Sequence, residues 1–212
     1  TLVSGNQGQW FVDPIDGTAE LLAGNGEFAV MVGLAVDGRA EAGVMALPAE
    51  EIVLAGRVGQ RAVMERSDGE RQLLGVSGRS SFSEARVVVS RSHPPPLIDV
   101  LRRRLGIAEM TPCGSAGVKV SRIVRGEAEL YVHAGHGLAP WDCCAPEAIL
   151  VAAGGRMSTL EGDNLRYVPG QAKLPGGLVA SNGILHPGAL SAVPWALRED
   201  KRLREQARRG GE

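Results

Sequence analysis

The chain has 212 residues, 44% hydrophobic and 22% charged, enough apolar content to bury a core and too much for a disordered chain. Its formal net charge of -1 supplies no global field for a polyanion or an anionic membrane surface, so any handling of anions must be local. Three cysteines, Cys113, Cys143 and Cys144, lack the C-x-x-C or paired-histidine spacing of a zinc site and make a poor disulfide framework.

These thiols are expected to be reduced and partly buried, in a cytoplasmic protein. No apolar run approaches the ~18 residues of a membrane span, and no signal peptide is visible. The chain opens "TLVSGNQGQW", without methionine, which reads as a fragment edge.

Residues 10–13 read as a short buried strand ending at Asp13, which Pro14 holds in an extended conformation. Residues 27–36 and 40–47 form a predicted β-hairpin around the turn signal Asp37-Gly38. Two short strands follow near 51–55 and 60–65, which suggests an antiparallel sheet. Residues 66–83 are polar and rich in Gly and Ser, and read as a loop or seam.

"ARVVVS" (85–90) is a β-branched run of the kind buried in a sheet, ended by "SHPPP" (92–96). Helices are predicted over 97–105, with Gly106 after it, and over 115–127. Residues 128–135 read as a strand, and 145–155 as a helix with Pro146 in its first turn and glycines at its end. A last strand covers 176–182, and "HPGALSAVPWALRED" starts a terminal helix interrupted at Pro194. The segment 198–212 is dense in both charges and reads as a solvated helix end or frayed tail. The expected organisation is a sheet-rich half (1–83), an α/β half (84–197) and that tail, with no internal repeat.

The chemistry gathers at "WFVDPIDGT" (10–18). Asp13, the Ile15 carbonyl and Asp16 can converge within one tight turn, with the Ile15 side chain anchored in the core. All three are hard oxygen donors, a set that suits Mg²⁺, Mn²⁺ or Ca²⁺. Gly17 permits close backbone approach, its N–H and that of Thr18 open the next segment toward an anion, and the Thr18 hydroxyl can hold a water. An Asx turn followed by a helix cap explains the same residues without chemistry. "WDCCAPEAILVAAGG" (141–155) places Asp142 just before a helix, where an N-cap aspartate belongs.

Together, "WFVDPIDGT" and "WDCCAPEAILVAAGG" resemble the inositol monophosphatase-like superfamily of Mg²⁺-dependent, lithium-sensitive phosphatases. Its signatures have the form W-x-x-D-P-[IL]-D-G-T and W-D-x-x-x-x-x-x-[IL]-x-x-x-G-G. "GNGEFAV", "SRSH", "GSAGVK" and "WDCCAPEAIL" are most similar to its 3'(2'),5'-bisphosphate nucleotidases. These release phosphate from adenosine 3',5'-bisphosphate, the by-product of sulfotransfer, and leave AMP. The resemblance implies an α+β fold, a layered sandwich of an antiparallel-sheet half and an α/β half. It implies two or more Mg²⁺ ions, or Mn²⁺, held by Asp13, the Ile15 carbonyl, Asp16 and Asp142. Asp16 and Thr18 would serve catalysis, with Thr18 orienting the attacking water. Gly17, Thr18, Ser90, His93, Ser115, Lys119 and Asp142 would contact the substrate, and His133 is a further candidate for phosphate. The implied partner is a small nucleotide bisphosphate, with no nucleic acid and no membrane, taken by a monomer or homodimer.

One departure stands out. Members carry an upstream segment of helices with an acidic "E-E"-like pair that completes the metal site and the water-activating base, whereas residues 1–9 contain no acid. The chain is therefore expected to be N-terminally incomplete, without the usual N-terminal helices. Two alternatives share the same metal residues: an inositol or other sugar monophosphatase, and a catalytically impaired nucleotide-binding remnant.

Overall fold

The computed structural model of the chain describes residues 8–91, 97–134 and 137–209, with side chains up to residue 202. Six strands form an antiparallel sheet in sequence order: β1 (Gly8–Asp16), β2 (Ala29–Val36), β3 (Arg39–Leu47), β4 (Ile52–Arg57), β5 (Val63–Arg66) and β6 (Arg71–Leu73). The Asp37-Gly38 turn has the left-handed backbone its sequence demands, with φ of 52° and 73°. β6 lies inside the stretch expected to be loop. Its three residues are all exposed, so no apolar alternation announced it.

β1 is longer and less buried than expected. It runs to Asp16 on the sheet edge, with Phe11 and Asp13 turned inward and Trp10 and Val12 exposed at 65% and 54%.

The second sheet is mixed. Its order is β10 (Arg156–Thr159), β11 (Leu178–Ser181), β9 (Leu130–His133), β7 (Arg86–Ser90), β8 (Glu109–Cys113), with β7 parallel to both β8 and β9. β8 and β10 are absent from the predicted elements. β8 contains Pro112, tolerated because the strand is at the sheet edge, and β10 has only four residues.

The helices are α1 (Thr18–Ala23), α2 (Leu97–Leu105), α3 (Ala116–Val124), α4 (Pro140–Ala152) and α5 (His186–Arg209). Two differ from expectation. α4 starts five residues early, so Trp141 and Asp142 lie inside it and Pro146 sits mid-helix rather than in the first turn. α5 runs through Pro194: the proline ring is exposed, while Ala189, Ala192, Val193 and Ala196 stay buried against the second sheet. That apolar stripe holds the helix across a missing backbone bond. The stretch "SHPPP", with His93, lies outside the described residues, as does His136.

The layers follow from which faces are apolar. α3 and α4 share one core with the inner face of the antiparallel sheet and one face of the mixed sheet, through residues such as Met31, Met45, Leu54, Ile123, Ile149 and Tyr131. α2 and α5 cover the other face of the mixed sheet. The result is an α+β stack of sheet, helix pair, sheet, helix pair.

A row of glycines sets the depth of α4. Gly33, Gly43 and Gly56 are direct partners across β2, β3 and β4. A methyl group at Gly33 would lie 2.6 Å from the Ala145 nitrogen, at Gly43 2.4 Å from the Ala145 carbonyl oxygen, and at Gly56 2.8 Å from the Ile149 Cα. The helix backbone therefore rests on bare strand backbone, and a Cβ anywhere in the row would lift it. Gly43→Ala should cost about 3 kcal/mol by overpacking, whereas Gly75→Ala, with nothing within 4 Å of the new carbon, should stay within about 0.5 kcal/mol. Chemical denaturation of both variants checks this, and equal midpoints would contradict it.

Candidate metal centre

Asp13 and Asp16 lie three positions apart, a spacing that in a regular strand sends side chains to opposite faces. β1 pairs Asp13 with Met31 but Asp16 with Ala29, so three steps on β1 oppose two on β2. This β-bulge shifts the alternation by one, and both carboxylates turn inward, 8% and 9% exposed. Pro14, with no N–H to leave unpaired, sits in the bulge. Asp13 Oδ1 accepts a hydrogen bond from the Ile15 amide at 3.0 Å, so the Asx turn is present as well. The turn and the carboxylate pair are one structure, not alternatives.

The Ile15 side chain is 41% exposed, not anchored in the core as expected, because the bulge turns it outward. Its carbonyl accepts a hydrogen bond from the Thr18 hydroxyl at 3.3 Å. Gly17, at φ 88°, caps α1, and a Cβ there would lie 2.9 Å from both the Glu27 carbonyl oxygen and the Ser115 Cβ. Only glycine fits between them.

Asp16 is oriented by the first turn of α3. Ser115 Oγ and the Gly117 amide, the latter at 2.6 Å, donate to its Oδ2, and the Ala116 amide approaches Oδ1 at 3.4 Å. Ser115 Oγ also accepts from the Val118 amide at 3.0 Å, as the helix N-cap. The free amides of a helix start thus meet a carboxylate, an arrangement the helix dipole favours.

Asp142 is the third residue of α4 rather than its cap. Its Oδ2 accepts from the Ala139 amide at 2.7 Å, closing the first turn from inside the helix. Asp13, Asp16 and Asp142 each offer an oxygen, and these atoms all lie within 4.8 Å of one another. Burial pushes the Asp142 carboxyl up to about 7, against the Ala139 amide, and the charges of Asp16 and Asp13 add to the rise. Burial also raises Asp16, although Ser115 and Gly117 oppose it. Two buried carboxylates and one half-buried one, mutually repelling and with no thiolate or imidazole among them, fit a hard divalent cation.

The other expected contacts divide. Ser90 ends β7, in register with Cys113. His133 ends β9, with Nδ1 3.4 Å from the Tyr131 hydroxyl. Ser115 faces Asp16 rather than open space. Lys119 is buried, 2% exposed, and donates to the Cys113 and Gly114 carbonyls at 3.2 and 2.6 Å. The three cysteines are all buried and free.

Residues absent from the sequence reading also converge here. Glu20, 6% exposed, accepts from the Asn25 side chain and faces Arg91 at 3.6 Å. Glu27 bonds Arg91, Arg122 and the Gly114 amide. "GNGEF" was the signal available in the sequence, but nothing there assigns Glu27 a partner more than sixty positions away.

Residues 3–197 match the inositol monophosphatase family. The chain belongs to that family. Among curated relatives, it is 35% identical over 168 residues to the 3'-phosphoadenosine 5'-phosphate phosphatase of Mycobacterium leprae, which covers 74% of this chain and 57% of the relative. It is 33% identical over 168 residues to the 3'(2'),5'-bisphosphate nucleotidase CysQ of Salmonella typhimurium (79% and 65%). It is 32% identical over 167 residues to 3'(2'),5'-bisphosphate nucleotidase 1 of Rattus norvegicus (74% and 51%). The chain thus spans between half and two thirds of the length of these relatives. The inositol monophosphatase of Anabaena shares the fold, with a TM-score of 0.76, 23% identity and coverage of 89% of this chain and 75% of that one. No helix among the described residues is long and apolar enough to cross a membrane.

A divalent cation at this site would compete with the proton that burial favours on Asp142, whose carboxyl is pushed up to about 7. Apparent Mn²⁺ affinity, followed by electron paramagnetic resonance, should fall about tenfold per pH unit below that point and level off above it. Asp142→Asn should weaken binding and flatten the profile. A pH-independent affinity in the native protein would contradict the assignment.

Proposed function

We propose that the protein is a Mg²⁺-dependent 3'(2'),5'-bisphosphate nucleotidase that removes the 3'(2')-phosphate of adenosine 3',5'-bisphosphate and leaves AMP. The convergence of Asp13, Asp16 and Asp142 carries this reading. The names of relatives at 32–35% identity support its substrate. The relatives so named are longer than this chain, and the buried free thiols fit a reducing, cytoplasmic setting.

A phosphate monoester resists hydrolysis because negative charge must be gathered and aligned, not because covalent help is lacking. Mg²⁺, held by the three aspartates and the Ile15 carbonyl, would neutralise phosphate charge and acidify water. The chain's own residues set the geometry. Asp16 stays in place because α3 donates to it. Asp142 is fixed by its bond to Ala139. The Thr18 hydroxyl spends its proton on the Ile15 carbonyl, which leaves its lone pairs free to accept a hydrogen bond from the attacking water. The Gly17 and Thr18 amides, at the start of α1, would meet an incoming phosphoryl oxygen. Ser90 and His93 would contact the retained nucleotide. Cys143 is buried, with its thiol pushed well up, and serves packing rather than attack.

Phosphate release from adenosine 3',5'-bisphosphate by the full-length protein should require Mg²⁺ and be inhibited by Li⁺. Asp13→Asn should lower kcat/KM at least about a hundredfold, the loss expected when several kcal/mol of charge stabilisation goes. Faster turnover of inositol 1-phosphate than of the nucleotide would overturn the substrate assignment, and metal-independent turnover would overturn the mechanism.

A further inference from the structure

Asp16 is useful to a cation only if one oxygen is held back and the other points into the cluster. Its orientation comes from the Ser115 hydroxyl and the amides of Ala116 and Gly117. Those donors are only as fixed as the turn before them, Cys113–Gly114–Ser115, so what holds that turn matters.

The turn is gripped from two sides. From one side, Glu27 Oε2 accepts the Gly114 amide at 2.8 Å. From the other, the buried Lys119 ammonium binds the carbonyls of Cys113 at 3.2 Å and Gly114 at 2.6 Å. Gly114 has room for no side chain, since a Cβ there would lie 2.1 Å from the Glu20 carboxyl carbon. Glu27 is in turn fixed: Arg91 Nη2 donates to Oε2 at 2.6 Å, and Arg122 Nη2 to Oε1 at 3.1 Å. Burial works against the Glu27 charge, but the Arg91 and Gly114 bonds outweigh it and hold the carboxyl below its ordinary range. Its own backbone carbonyl, finally, lies against Gly17.

The geometry points to Glu27 as a positioning residue for the metal centre: its carboxylate, locked by Arg91 and Arg122, fixes the Gly114 peptide so that Ser115 and α3 aim Asp16 at the cation. Glu27 sits in the Gly17–Ala29 connection, Arg91 follows β7 and Arg122 lies on α3. One carboxylate thus ties the residue after β7, the turn before α3 and α3 itself to the segment that follows Gly17. Its effect reaches the cation through Gly114, Ser115 and Asp16 in turn. This inference rests on the metal-centre reading above, and it concerns cation affinity rather than the identity of the phosphate ester.

Mn²⁺ binding to the full-length protein, measured by electron paramagnetic resonance at pH 8, tests it with Glu27→Gln, Ser115→Ala and the double variant. Glu27→Gln keeps the size and loses the charge that Arg91 and Arg122 hold. It should weaken Mn²⁺ about fivefold or more, raise the Mg²⁺ needed for half-maximal activity by a similar factor, and leave KM at saturating Mg²⁺ within about twofold. The double variant should be no worse than the weaker single variant, because both act through Asp16. Unchanged Mn²⁺ affinity in Glu27→Gln, or losses that multiply in the double variant, would overturn the inference. If Glu27→Gln melts below the assay temperature, Arg122→Lys carries the same test, with a weakening of about twofold expected and none overturning it. No Mn²⁺ binding by the native protein would instead sink the metal-centre reading itself.

Discussion

Three carboxylates cannot all stay ionised in a space a few ångströms wide without a compensating charge. At separations within 4.8 Å, each like-charged pair repels by about 3 kcal/mol even at a generous effective dielectric. The protein meets that repulsion with fixed architecture rather than avoiding it. A bulge turns Asp13 and Asp16 to the same face, the start of α3 binds Asp16, and the first turn of α4 binds Asp142. Each device lies on a different element. The cluster is therefore a meeting point of β1, α3 and α4, and it exists only while all three keep their places.

That requirement explains the packing around it. α4 must lie deep against the antiparallel sheet for its first turn to reach the end of β1. The glycine row of Gly33, Gly43 and Gly56 provides this depth by letting backbone touch backbone. α3 must present its amides to Asp16, and the Glu27–Gly114–Lys119 contacts keep its first turn from drifting. The opposite face of the same sheet has no such demand. There, Trp10, Val12, Val44, Val53 and Leu73 are exposed among the described residues.

Much of this was legible in the sequence, for identifiable reasons. The hairpin of β2 and β3 announced itself through alternation and Asp37-Gly38. Asp13 and Asp16 were readable as a turn of hard oxygen donors because Asp-Pro-Ile-Asp-Gly-Thr constrains the backbone locally, whereas Asp142 joined them only through the family resemblance. The α4 boundary was misplaced because an aspartate inside the first turn, bonding back to the Ala139 amide, looks in sequence like an N-cap. The break expected at Pro194 did not occur, since tertiary burial of the alanine stripe outweighs one lost backbone bond. Lys119 was named in sequence only through the resemblance, and its partners, the carbonyls of the preceding turn, are contacts that composition does not encode. Glu27 pairs across 64 and 95 positions with Arg91 and Arg122, and a single sequence carries no sign of such distances.

The central claim is that a divalent cation binds between these aspartates. A crystal of the protein soaked in Mn²⁺, with anomalous scattering recorded, tests this most directly. The account predicts a strong anomalous peak bounded by oxygens of Asp13, Asp16 and Asp142, at the 2.0–2.3 Å typical of hard cations. A map with no peak there at millimolar Mn²⁺, or with Asp142 turned away from Asp13 and Asp16, would contradict it.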